Sequence, residues 1–357
     1  MRPLLLCFPL SVSLCAPLAA AGTAPDADTE QPSPETAVRL FSSVSFYAEN
    51  DKFFAGTDRN YTNGFKVSAL SNNLRDFDQD GVPGPVRALA RALDPLMRDD
   101  AIPKLGLSFG QSIYTPEDTQ TTVYQPDDRP YAAWLYLGIN YQNYYPAQPD
   151  STLARLATIE VQLGVAGGEW ALGRFVQNGF HNIINVDEAQ GWDNQIESEP
   201  GINVVYEHKW RLSTAEARDG WGADFIPHAG FSVGNVFTYT NAGASVRLGY
   251  KLPADFGTNL IRPTGDANPA ARERFGVWLF GAVDGRAVAR DITLDGNTWK
   301  SDGPSIDKEP FVADLLGGIG LGTRRWQLTY AQAVRTKEFK GQSDAQVFGS
   351  LSLTYFY

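Results

Sequence analysis

The segment QVFGSLSLTYFY, residues 346–357, decides the fold class. Successive side chains of an extended chain point to opposite sides. Val347, Leu351, Leu353, Tyr355 and Tyr357 therefore share one face, and Phe348, Ser350, Ser352, Thr354 and Phe356 share the other. The first face is apolar and ends in aromatic rings; the second is largely small and hydroxylic. That pattern suits a membrane-spanning barrel strand, with lipid outside and a polar lumen inside. The competing reading is the edge strand of a soluble sandwich, and the N-terminus weighs against it. Arg2 forms a short positive region, Leu4 to Leu18 is mostly apolar, and Ala19-Ala20-Ala21 fits a small-residue cleavage site.

Working back from the C-terminus, similar runs recur near 325–336, 310–322, 275–292, 242–251, 224–237, 201–212, 155–166, 131–143, 105–114, 61–71 and 42–51. With the last strand the count is twelve, an even number as in bacterial single-chain barrels. WLYLGINYQNYY, residues 134–145, carries the aromatic enrichment of a membrane interface. Beyond the leader, no apolar run reaches the roughly 18 residues a spanning helix needs. The expected fold is all-β: an integral outer-membrane antiparallel β-barrel of about twelve strands, with short helices in its loops.

Composition narrows the function. Residues 1–21 read as a signal peptide and 22–38, rich in Pro, Thr and acid, as a disordered leader, which leaves 39–357 as one barrel domain. Both cysteines, Cys7 and Cys15, fall in the signal, so a disulfide framework and a thiol nucleophile are both excluded from the mature chain. The chain has 41 Asp and Glu against 30 Lys and Arg, a balance that argues against nucleic acid.

An even-stranded barrel has both ends in the periplasm, so the first strand runs outward and ends at Asn50 and Asp51 on the cell-surface side. The connections 52–60, 115–130, 167–200, 238–241, 293–309 and 337–344 are then external. The long connections 72–104 and 252–274 are internal. The first of these holds Val86, Leu89, Leu93 and Leu96 at helical spacing and is expected to plug or lid the periplasmic mouth. It also holds Asp76, Asp78, Asp80 and Gly81, the start of a calcium loop. Arg87 stands where that motif needs Glu, which favours a plain acidic turn.

Three polar stretches converge on the outer side. YAENDKFFAGTDRNYTNGF, residues 47–65, gathers Asn50, Asp51, Asp58, Asn60, Thr62 and Asn63, residues that build turns and can also ligate a hard cation. Alternation in the second strand aims Thr62 inward; in the first it sends Asn50 outward and Asp51 inward, so either a bulge re-aims one of Asn50 and Asp51 or those two line opposite faces of the wall. The second stretch, IYTPEDTQTTVYQPDDRPYAAWLYLG, holds Asp127, Asp128 and Arg129 at the start of the fourth strand, and Asp128 with Arg129 reads as a rim ion pair or turn. In the third, Gln177 and His181 are four apart and share a face of any helix there. His181 is one of three histidines, and a structural role competes with a catalytic one.

YAENDKFFAGTDRNYTNG, SIYTPEDTQ…DDRPYAAWLYLG, QNGFHNII and GWDNQIESEPG, in this order along the mature chain, resemble the signature blocks of the lipid A deacylase family of outer-membrane barrels. The resemblance implies a twelve-stranded barrel and calcium-dependent removal of 3′-linked acyl chains from lipid A. It implies that Asn50 and Asp51 associate with calcium, with Asp187 as a further acidic ligand and Glu188 an equal candidate. It implies that His181 is the base and that Gln177 and Thr62 assist. Some relatives carry lysines after the IY-[ST]-P block; Thr119 to Gln125 has none, so recognition of lipid phosphates is open.

The residues support that chemistry independently. Ester hydrolysis needs an activated water and stabilisation of a tetrahedral oxyanion. A neutral imidazole can take the water's proton, Ca2+ can polarise the ester carbonyl, and an amide and a hydroxyl can orient the rest. No G-x-S-x-G elbow supports a serine nucleophile. The expected partners are lipid A or whole lipopolysaccharide and the surrounding outer-membrane lipids, with the protein a monomer. The alternatives are an outer-membrane phospholipase, and a porin-like structural barrel with a vestigial site.

Overall fold

The computed structural model describes residues 40–51, 60–78, 82–148, 150–167, 169–214, 217, 219–257, 260 and 275–357; the expected signal and leader lie outside them. Twelve strands form among the described residues: β1 Phe41–Asn50, β2 Asn60–Ser71, β3 Ile102–Thr115, β4 Ala132–Tyr145, β5 Leu153–Ala166, β6 Glu199–Ser213, β7 Trp221–Gly234, β8 Phe237–Tyr250, β9 Gly276–Asp291, β10 Phe311–Gly322, β11 Trp326–Arg335 and β12 Gln346–Phe356. Each pairs antiparallel with its neighbour in sequence, and β1 closes on β12 from Ser43↔Phe356 to Asn50↔Gly349. Closure removes the open edges that would otherwise need partners.

The alternation expected of residues 346–357 is present. Phe348, Ser350 and Ser352 are buried in the lumen, whereas Leu351 and Leu353 are exposed on the outer face. The largest departure in strand bounds is at β8, which begins at Phe237 where 242 was expected. Its Thr238 and Asn241 are turn formers by composition. The lumen instead gives the Asn241 amide a carboxylate partner, Asp284, at 3.1 Å, so the strand continues and the turn contracts to Asn235–Val236.

The lumen is filled. Trp134 stacks on Tyr136 with ring centroids 5.7 Å apart, next to Tyr61, Tyr114 and Phe348. At the rim above them Arg129 pairs with Glu338 at 3.1 Å and Arg335 with Asp314 at 2.7 Å. The expected pairing of Arg129 with Asp128 is replaced: Arg129 takes Glu338, 209 residues away, and Asp128 caps the Glu117 amide at 2.7 Å.

The two long connections at the opposite rim, where the chain ends, differ from expectation. The described residues of the first form two 3-10 turns, Leu74–Asp78 and Asp94–Leu96, and α1, Gly84–Leu93. This unit packs on Leu105 and Tyr141. Those residues alternate with lumen-facing neighbours and belong to the outer face, with exposed Leu107, Phe109, Leu137 and Ile139. The unit is therefore not a plug. Its Asp78 is held by Arg91 at 2.6 Å, as befits the plain acidic turn; Asp80 and Gly81 lie outside the described residues. The start of the other long connection enters the lumen instead. Phe256 is buried against Ala154, Leu156 and Ile226, and Asp255 pairs with Arg247, which also holds Asp224 at 2.5 Å. A buried arginine satisfied from two sides explains why this segment seats inside, where lone charges are costly.

Candidate active site

The connection from β5 to β6 carries α2, Gly173–Ile184. Gly173, Gln177 and His181, spaced by four, form its buried stripe, as the spacing predicted. That stripe faces the barrel from outside. Ile113 and Ala133 pack with Ala171, Trp192 and Val176 of this connection. Ile113 lies between Ser112 and Tyr114, and Ala133 next to Trp134, all of which face the lumen; by alternation Ile113 and Ala133 point outward. Gly173 permits the close approach: a Cβ there would lie 2.5 Å from the Trp192 ring and 2.8 Å from the Ala133 Cβ.

The register carries the same outward row across to the first polar stretch. Asn50 pairs with Asn63, Asn63 with Ile113, and Ile113 with Ala133. At a strand spacing of roughly 4.8 Å, Asn50 stands about 10 Å along the wall from Ile113. Asn50 and Asp51 are buried, and both lean on one carbonyl: Asn50 Nδ2 donates to Thr62 O at 3.0 Å and the Asp51 amide at 3.4 Å. With its nitrogen so engaged, the Asn50 amide has its orientation fixed. An irregularity that alternation did not anticipate lies in β2, where the β2–β3 register shifts between Tyr61 and Asn63. Tyr61 consequently turns to the lumen, where its hydroxyl donates to Glu49 at 2.9 Å. Thr62 does not take the simple inward position; its hydroxyl shares a 2.7 Å hydrogen bond with that of Thr115, the residue after lumen-facing Tyr114.

On α2 the two functional side chains are set by different partners. Gln177 Oε1 accepts from the Trp192 indole at 2.8 Å, which leaves its Nε2 buried with no acceptor among the described residues. His181 is 2% exposed, and its Nδ1 lies 2.7 Å from the carbonyl oxygen of Asp187. A carbonyl only accepts, so Nδ1 carries the proton and Nε2 presents the lone pair. Asp187 meets the site through its backbone, and its side chain is exposed. Glu188 is also exposed and accepts from Asn182 at 2.8 Å. Among the described residues no three His, Cys, Asp or Glu side chains group to hold a metal. Asn50 and Asp51 do supply hard oxygen donors at a buried position, a set that fits Ca2+ and not a thiolate-seeking metal. Asp58 lies outside the described residues.

Three residues beyond the expected set complete the site: Trp192, Thr115 and Gln111. Gln111 Nε2 donates to Ala171 O at 2.5 Å, and its Oε1 is buried without a partner. It had a legible signal, being the one polar side chain in the outward row Leu105, Leu107, Phe109, Gln111, Ile113.

The sequence matches the model of the family described as "Outer membrane protein LpxR" over residues 4–357. The fold is similar to LpxR from Salmonella typhimurium at a TM-score of 0.68 and 22% identity, covering 88% of this chain and 100% of that one. The translocator domain of the autotransporter NalP from Neisseria meningitidis covers 91% of the chain and 90% of its own at 9% identity, with a TM-score of 0.39. The β domain of the Bordetella autotransporter BrkA covers 89% of the chain and 99% of its own at 8% identity, with a TM-score of 0.41. No curated protein matches the chain.

Proposed function

The chain belongs to the LpxR family of outer membrane proteins, and from that premise we propose that it is a calcium-dependent esterase that removes 3′-linked acyl chains from lipid A at the cell-surface side of the outer membrane. The observation that carries the reading is where the polar residues are buried. Gln177 and His181 face the outer surface of the barrel wall, under a helix whose far side exposes Phe175 and Ile183 to 77% and 81%. An ester reached there is approached from the membrane, which suits a lipid substrate. The filled lumen speaks against the porin alternative, because stacked Trp134 and Tyr136 and the Arg129–Glu338 pair occupy the space a channel needs.

In this reading His181 Nε2 takes a proton from water as the hydroxide attacks the ester carbonyl, and the Asp187 carbonyl keeps the imidazole in the required tautomer. The Gln177 Nε2 donor, buried and without an acceptor among the described residues, is suited to the oxyanion that forms. The imidazolium then returns its proton to the departing alkoxide. Asn50 and Asp51 would hold Ca2+, which when bound supplies Lewis-acid polarisation of the carbonyl. Thr62 ties the Asn50–Asp51 end of β1 to β3 through Thr115.

The test is mass spectrometry of lipid A incubated with the purified protein in detergent. Loss of one ester-linked acyl group from the 3′ position is expected. Release of fatty acid from phospholipid alone would make the protein a phospholipase, and no release from either would refute the esterase.

A further inference from the structure

Beyond the helix, a groove of about 560 Å³ opens between the α2 connection, the 116–131 connection and the loop after β9. Its volume lies in the range of sites that hold small ligands. Two exposed aromatic rings line it, Trp170 at 66% and Tyr124 at 41% exposure. Its polar lining is dominated by acceptors: Glu169, Asp193, Glu197 and Asp302. Arg174 takes Asp193 at 3.2 Å and Lys300 takes Glu197, so four carboxylates meet two cations. Gln195 also lines the groove, with its Oε1 buried and unpartnered. The groove adjoins the α2 connection that carries the site, and Glu169 lines both it and a depression along the exposed side of α2 beside Leu172 and Phe175.

Exposed rings beside a row of carboxylate and amide acceptors form a surface for a ligand with apolar C–H faces and many hydroxyl donors. The excess of carboxylate disfavours phosphates and acidic sugars. We infer that this groove binds a neutral sugar of the substrate's saccharide headgroup, with Trp170 and Tyr124 as stacking platforms and Glu169 and Asp302 as hydroxyl acceptors. The inference rests on the esterase reading for the identity of the substrate and names the part of it that lies outside the membrane. Its position fits: the acyl chains would lie along the apolar side of α2 and the saccharide at the polar end of the same connection.

The experiment uses the whole protein in detergent micelles. The probe is lipopolysaccharide stripped of all fatty acids, which retains the sugars and has nothing to hydrolyse. Saturable binding is expected, weakened about tenfold by Trp170→Ala and by Tyr124→Ala, the equivalent of one lost aromatic contact. The ratio of kcat/KM on lipopolysaccharide to kcat/KM on lipid A without the core saccharide should fall about tenfold in Trp170→Ala. It should hold at the parent value in Trp326→Ala, an exposed ring at the far end of the barrel. Both Trp170 and Tyr124 are surface residues, so folding survives their loss, and the heat-dependent gel shift of a closed barrel checks it. Absence of saccharide binding, or equal binding by parent and both variants, overturns the inference. Binding without any hydrolysis of intact lipid would overturn the esterase and leave the sugar groove standing.

Discussion

Replacing His181 by Gln separates a catalytic imidazole from a structural one. The imidazole is buried, and its Nδ1 is tied to the Asp187 carbonyl at 2.7 Å. A glutamine amide can donate to that same carbonyl and fills a comparable volume, so α2 should stay seated. What it cannot supply is the lone pair that Nε2 presents. If Nε2 is the base, the loss is that of general-base catalysis, about 10²–10⁴-fold in turnover, or roughly 2.7–5.4 kcal/mol of barrier. The assay is fatty acid release in detergent under saturating substrate, with the gel shift as the fold check. His208→Ala is the control. His208 sits in β6 opposite Ala157 and Ala229, its ring 4.4 Å from that of Trp210, and its loss should be nearly silent. Turnover of His181→Gln at the parent rate, or equal losses in both variants, would refute the assignment.

Gly173→Val should displace α2, because the new Cβ would meet Trp192 and Ala133; activity should drop about 10²-fold, while the urea midpoint of the barrel, whose ladder α2 does not join, stays put. Arg247→Met strands the buried Asp224 and Asp255 carboxylates and should cost about 3–5 kcal/mol of stability by urea unfolding, whereas an unchanged midpoint would show that residues 252–257 do not plug the lumen. Burial pushes the Glu338 carboxyl up, but Arg335 and Arg129 outweigh it and hold it below the usual 4.5. A depressed folded pKa gives stability that is present above the unfolded value and lost as pH falls through the folded one. Glu338→Gln should therefore destabilise at neutral pH and lose its effect in acid; a pH-independent difference would exclude the pairing. A calcium chelator should abolish lipid A hydrolysis, with activity restored by Ca2+ and poorly by Mg2+, whose strict octahedral demand suits such a site badly; full activity in chelator would reject the metal.

The barrel was legible because its signal is local and repeated. Each strand states its own faces, as Leu351 and Leu353 against Ser350 and Ser352 do, and twelve such statements leave one closed solution. The pairing of Gln177 with His181 was legible for the same reason, being a four-residue spacing on one element. The two long inner connections were not. Helical spacing in 84–96 reveals an apolar side but not what it covers, and it went to Leu105 and Tyr141 on the outer face. Nothing in the run around Asp255 announces that Arg247 waits for it in the lumen. Thr62 escaped alternation because a bulge is an event between two strands, visible only once Tyr61 is set opposite Tyr114.

The position of α2 follows from a balance that no single element states. A polar helix stripe laid against an outward, apolar wall would ordinarily lose its hydration for nothing. Here the wall answers it. Trp192 folds under the helix to donate to Gln177, the chain returns at Asp187 to take His181, and Gln111 reaches out of the strand to hold Ala171. The apolar contacts of Ile113, Ala133 and Val176 then seal the joint. What this closure leaves unsatisfied is Gln177 Nε2 on the helix and Gln111 Oε1 on the wall. An orphaned buried amide costs about 1–3 kcal/mol, and a fold that satisfies the polar ends around it so fully has no packing reason to retain the loss. A donor and an acceptor held back on the buried side of one helix, with the imidazole lone pair a turn away, are what an ester and its attacking water require. Gln177→Met tests that account. Met removes the orphaned donor while filling its space, so folding should be unharmed or improved by urea midpoint, while hydrolysis falls by about 10²–10³-fold, the usual worth of one oxyanion donor. A stabilised variant that still hydrolyses lipid A at the parent rate would mean that the oxyanion is met elsewhere.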